Sequence, residues 1–175
     1  MNRPTIELDI VYHLHDAKHL HDPNAVDYVA QDSRIELAAD WIARQFGLEK
    51  LYASIAVVDD ATIQQLNAQR LGHDWPTDVI SFLLDETDSS VEGEVIASAE
   101  TAAKVCVAAG WSAQDELLLY IVHGLLHVAG MDDVELEERQ AMRQAERDCL
   151  LAIGVAQANQ HGQGWDDIAF SEAER

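Results

Sequence analysis

His123-Gly-Leu-Leu-His127 places two imidazoles four residues apart inside an otherwise apolar run. Residues four apart on a helix share a face, so both rings point the same way. That geometry lets one helix supply two ligands to a zinc ion. Val128-Ala129-Gly130 follows, then Met131-Asp132-Asp133. Gly130 can reverse the chain after the helix, and a residue three further on can fold back over the same face. Asp133 is therefore the expected third ligand. Two imidazoles and a carboxylate leave one coordination position open, as in catalytic rather than structural zinc sites. The plainer alternative is a pair of core histidines bonded to backbone. It is disfavoured because neighbouring neutral imidazoles in an apolar setting need several polar partners.

The chemistry such a metal would perform is narrowed by one residue. Zinc peptidases carry H-E-x-x-H-x-x-G-x-x-H/D, and the spacing agrees here except at Gly124, which stands where the peptidase has its glutamate base. Glycine cannot accept a proton, so a zincin-like metallopeptidase is the disfavoured alternative. Two histidines and one carboxylate also suit Fe(II), which makes a non-haem iron oxygenase a second rival. A third is a non-catalytic assembly factor with a structural metal. No general base is evident, although Asp132 is nearest in sequence.

These residues need elements to hold them. Ser112-Ala113-Gln114-Asp115 is a helix-start signal, and from Leu117 the helix is apolar all round, which predicts a central position. A last helix is expected over about 134–153, with Met142, Ala145, Cys149 and Ile153 on one stripe. Ile6, Leu8 and Ile10 alternate with Glu7 and Asp9 as in a half-buried strand, and 24–46 reads as a helix stopped by Gly47. Strands are expected at 52–58, 79–84 (buried) and 94–97, with a short helix from Asp59-Asp60 through Asn67 and an Ala-rich helix capped by Ser98 and ending near Gly110. Strands and helices mix without a strict βαβ rhythm, which predicts an α+β layer with a small mixed sheet. The expected organisation is one domain over 1–154 and a loosely held acidic tail over 155–175.

Three segments in order carry a resemblance. His123 to Asp133 resembles the H-G-x-L-H-L-x-G-Y-D-H signature of the YbeY family of metal-dependent endoribonucleases. Leu66-Asn67 followed by Pro76-Thr77-Asp78-Val79-Ile80-Ser81-Phe82 resembles its L-N…P-T-[DN]-V-L-S-F, and Gly93-Glu94-Val95-Ile96-Ala97-Ser98 resembles its G-D-I-x-I-S. The resemblance implies a mixed sheet of about four strands, surrounding helices and a central metal-ligand helix. It implies a zinc-dependent, single-strand-specific endoribonuclease with one Zn2+ per chain. The implied role is 16S rRNA 3′-end maturation and ribosome quality control, with single-stranded rRNA and the small ribosomal subunit as partners and no DNA.

Two departures from the family pattern stand out. Its third histidine is Asp133 here, which lowers the formal charge of a zinc site by one unit and should acidify bound water less. Its arginine four residues after the Asn is Leu71 here, and Arg70 is the candidate to take the anion-binding, catalytic role from one position earlier.

The remaining features are weighed against ordinary surface roles. His13, His15, His19 and His21 read as a solvated loop rather than a second metal site. His73 reads as a loop residue. Arg139, Arg143 and Arg147 form one stripe, either a phosphate-tracking ridge or the partners of Glu135, Glu138 and Glu146. Cys106 and Cys149 read as core residues, which suits a reduced, cytoplasmic protein without a disulfide framework. No signal peptide or membrane span is expected. With 11 Lys+Arg against 32 Asp+Glu, the net charge of −21 excludes a general nucleic-acid-coating protein. Any RNA contact must be local.

Overall fold

Apolar residues on alternate positions build the sheet. β1 (Thr5–His13), β2 (Lys50–Val58), β3 (Val79–Glu86) and β4 (Ser90–Ser98) form one four-stranded sheet in the order β1-β2-β4-β3. β1, β2 and β4 run parallel, and β3 returns antiparallel along β4. The helices are α1 (Tyr28–Gln45), α2 (Asp60–Leu71), α3 (Ala99–Ala109), α4 (Ala113–Val128) and α5 (Leu136–Ala152), followed by a 3-10 turn at Ala156–Asn159. The structure is a computed structural model and describes residues 3–14 and 28–159. The α+β class, the small mixed sheet and the central helix α4 agree with expectation. Among the described residues no single helix is long and apolar enough to cross a membrane.

The side-chain period of two divides each strand between two layers. Leu51, Ala53, Ile55 and Val57 of β2 and Val91, Val95 and Ala97 of β4 face the main core under α1, α4 and α5. Val58, Ile80 and Ile96 face a smaller cluster capped by Ile63 of α2. β3 was expected to be buried, but it is the edge strand. Only Ile80 is buried on it, while Leu83 and Leu84 lie exposed, because an edge strand has a neighbour on one side only. The packed unit also runs past Gly154, since Val155 and Ala158 are buried in the main core. The tail from residue 160, and His15, His19 and His21, lie outside the described residues.

α4 is set against the sheet by two glycines. A Cβ on Gly124 would lie 2.6 Å from Val95 Cγ1 and 3.3 Å from Val79 Cγ2. A Cβ on Gly93 would lie 2.4 Å from Val128 Cγ2 and 2.9 Å from the Phe82 carbonyl oxygen. Each glycine thus accepts a valine from the opposite element, and helix and strand come into close contact at two levels. Valine cannot swing away, because branching at Cβ stiffens χ1.

A second device joins the starts of two helices. Asp59 caps α2 and Ser98 caps α3. Asp60 accepts from Ser98 Oγ, from Thr101 Oγ1 at 2.7 Å and from Lys104, while its own N–H donates to Glu100 Oε2 at 3.0 Å. Burial pushes the Asp60 carboxyl up, but the bonds from Lys104, Ser98 and Thr101 outweigh it and hold it below the usual aspartate range.

Two outcomes follow for stability. Gly93→Ala and Gly124→Ala should each cost roughly 1–3 kcal/mol in denaturant melts, the usual cost of overpacking a tight contact. Asp60→Asn should cost about 1–2 kcal/mol at pH 7, from weakened bonds to a charged acceptor. A carboxylate with a depressed folded-state pKa stabilises above its unfolded value and loses that contribution as pH falls through the folded value. The gap between Asp60→Asn and wild type should therefore close on acidification below about pH 4. A gap constant with pH would contradict the ionic role of Asp60.

Candidate metal centre

The centre begins at the C-terminal end of α4. Gly130 takes φ 96, a conformation that side-chain-bearing residues rarely adopt. Its N–H donates to the His127 carbonyl at 2.9 Å, and the Met131 N–H donates to the Leu126 carbonyl at 3.0 Å. This paired closure satisfies two helix-end carbonyls and turns the chain back on itself. Two things result. The Met131 carbonyl reaches His127 Nδ1 at 2.9 Å, and Asp133 returns over the face that carries the histidines.

The three expected ligands converge. His123 Nε2 and His127 Nε2 lie 3.0 Å apart, and the Asp133 carboxylate oxygens lie 3.7 Å from each. A tetrahedral ion bound at about 2.0–2.1 Å separates its ligand atoms by roughly 3.3 Å, midway between those values. The side chains are 17%, 24% and 35% exposed for His123, His127 and Asp133, so the cluster opens to solvent on one side.

The partners of the other ring nitrogens define the donor set. A carbonyl oxygen only accepts, so His127 carries its proton on Nδ1. His123 Nδ1 faces Glu146 Oε1 at 2.7 Å. Burial pushes the Glu146 carboxyl up, yet the His123 bond and the Arg143 charge hold it below the usual glutamate range. It is thus an ionised acceptor, and His123 carries its proton on Nδ1 as well. Both Nε2 lone pairs then face one point from 3.0 Å apart, an arrangement that repels unless a cation sits between them. These groups fit a divalent metal on chemistry as well as on distance, and Glu146 is placed where an outer carboxylate would orient His123.

The sequence profile of the family described as Endoribonuclease YbeY matches residues 20–154. The chain belongs to the endoribonuclease YbeY family. An endoribonuclease YbeY of Rhodopirellula baltica is 43% identical over 129 residues, which are 71% of this chain and 66% of that relative. One from Carboxydothermus hydrogenoformans is 44% identical over 103 residues, covering 58% of this chain and 72% of the relative. In fold alone, the solution structure of TM1509 from Thermotoga maritima resembles the chain, with TM-score 0.54 at 18% identity, over 90% of this chain and 98% of that one.

Not every candidate of this YbeY-family chain reaches the centre. Arg70 projects from α2, bonds Glu94 Oε2 at 2.8 Å and lies 4.9 Å over the Phe82 ring. Glu94 and Phe82 share the parity of Ile96 and Ile80, which face α2, whereas Gly93 and Val95 face α4. Arg70, the candidate for the anion-binding, catalytic role, is thus engaged with residues on the face of the sheet opposite the one that meets α4. Asp132 accepts from the Asp133 N–H at 2.8 Å. Of the two roles open to Arg143, the structure shows the pairing with Glu146: its Nη1 bonds both Glu146 oxygens, at 3.0 and 2.9 Å.

Glu146, which the sequence offers only as a surface partner of the arginine stripe, lies buried against His123 and is the candidate that sequence reasoning misses. It is 3% exposed. The available signal was its place on the stripe of Met142, Cys149 and Ile153, where an amphipathic helix should be apolar. Gly124 also gains a fuller explanation. Its α-carbon faces Val95, so a side chain there would collide with the sheet.

Substitutions should separate inner from outer roles. His123→Ala and His127→Ala should lose bound metal, Asp133→Ala should weaken binding roughly 10-fold or more, and Asp133→His should keep it. Glu146→Gln should weaken binding by roughly 10- to 100-fold without removing a ligand. Competition against a chelator measures each, and full retention of metal by both histidine variants would overturn the site.

Proposed function

We propose that the protein is a zinc-dependent, single-strand-specific endoribonuclease acting in 16S rRNA 3′-end maturation and ribosome quality control. The observation that carries the reading is the open cluster of two Nε2 atoms and one carboxylate, in a chain whose family relatives are named endoribonucleases. His123, His127 and Asp133 would hold one zinc ion. When bound, it supplies Lewis acidity toward a phosphoryl oxygen and lowers the pKa of a water ligand.

The chain's own groups do the rest. Glu146 holds the His123 proton at Nδ1, and the Met131 carbonyl does the same for His127, so neither ring can turn its lone pair away. Arg143 keeps Glu146 ionised. Asp133 contributes a ligand and reduces the positive charge offered to the phosphate, relative to a histidine in its place. Gly124 disfavours peptide hydrolysis on the zinc-peptidase plan, since it carries no base and a side chain there would meet Val95 of the sheet. The proposed setting is the cytoplasm, with immature small ribosomal subunits as the substrate particle.

The −21 charge makes RNA engagement depend on few contacts. Three or four phosphate contacts on a single strand give a log–log salt slope of roughly −2 to −3. Cleavage of single-stranded RNA should be lost with a chelator and with His123→Ala, and a fully paired duplex should survive. Gel analysis of RNA products, run beside peptide and oxygen-consumption assays, checks this. Zinc-loaded protein that leaves both free RNA and immature subunits uncut would refute it and favour a structural metal.

A further inference from the structure

The segment between α2 and β3 holds an aromatic pair in solvent. Trp75 is 57% exposed, and its ring stacks on His73 with centroids 4.7 Å apart and planes 11° from parallel. His73 stacks on one face of the indole, and more than half of Trp75 still remains open to solvent.

The segment is built rather than loose. Asn67, buried in α2, donates from Nδ2 to the Trp75 carbonyl at 2.9 Å, and its own carbonyl accepts from the His73 N–H at 3.3 Å. Gly72 ends α2 in the left-handed conformation, and Gln64 donates to Asp74 Oδ1 at 3.0 Å. These contacts fix the backbone on both sides of the ring pair, yet none covers the indole. An ordinary packing role would bury it.

Its position ties it to the metal centre. Three residues beyond Trp75, Asp78 lies close enough to Tyr120 and Arg143 for its charge to act on both. Arg143 bonds Glu146, which bonds His123. Four residues beyond Trp75, Val79 packs at Gly124, next to His123. Four residues span at most about 14 Å, so the ring pair stands within a few nucleotides of the metal ligands.

We propose that the Trp75–His73 stack is a platform for one unpaired nucleobase of the RNA strand whose phosphate is at the metal centre. This rests on the endoribonuclease reading above. The charge makes it physically apt. A chain at −21 gains little from phosphate attraction, whereas an aromatic face binds any base without needing positive charge. A base inside a duplex has both faces occupied, so the platform also selects single strands.

The test couples the side chain to one base. Steady-state cleavage of a single-stranded RNA is measured for wild type, Trp75→Ala and Trp75→Phe, with intact RNA and with a set carrying one abasic nucleotide at successive positions. Trp75→Ala should raise KM about tenfold, within the roughly 5- to 150-fold expected for one lost stack, with kcat and zinc content unchanged. Trp75→Phe should restore most of the loss. One abasic position should raise KM in wild type and have no further effect in Trp75→Ala. Equal KM for wild type and Trp75→Ala, or the same abasic profile in both, would overturn the platform while leaving the endoribonuclease reading intact. Wild type that cuts no RNA would overturn both.

Discussion

The close contact of α4 with the sheet is the constraint on which the rest depends. Gly124 receives Val95 and Gly93 receives Val128, so helix and strand lock at two levels about one helical turn apart. That lock fixes both the height and the rotation of α4. Once Gly124 faces the sheet, His123 must face α5 and His127 must lie beside the closing turn. A side chain at either glycine would have to lift the helix, and the ligand atoms with it.

Polar groups in this half-buried setting are then arranged in a chain, from Arg143 through Glu146 to His123. A carboxylate as buried as Glu146 would be costly alone, and it is tolerated because a guanidinium and an imidazole share its charge. The same pairing consumes a cation from a chain that has few. This fits a site that would draw phosphate through a metal ion and hold bases by stacking, instead of attracting RNA over distance. At 0.1 M salt the Debye length of about 10 Å confines the repulsion of the acidic surface, so local contacts can decide.

Much of this was legible in the residues. His123 and His127 announced a shared helical face, Gly130 announced the reversal, and the structure brings Asp133 to them. Ser98, Ser112 and Asp59 cap helices as their positions suggested. What escaped depends on pairing across the chain. β3 reads as a buried strand because Val79 to Leu84 is apolar, and only the strand order reveals it as an edge. Arg70 is one residue from the family position, but the side of the sheet it occupies is a matter of register. Glu146 could be suspected from its apolar stripe, yet its partner lies 23 residues away on another helix.

The coordination of the ion is the most direct measure of the centre. X-ray absorption at the zinc edge of the loaded full-length protein should show two imidazole nitrogens at about 2.0–2.1 Å with oxygen scatterers completing a four-coordinate shell. The Glu146→Gln variant should retain both imidazoles. A shell containing sulfur, or one holding fewer than two imidazoles in the wild-type protein, would contradict the assignment of His123, His127 and Asp133.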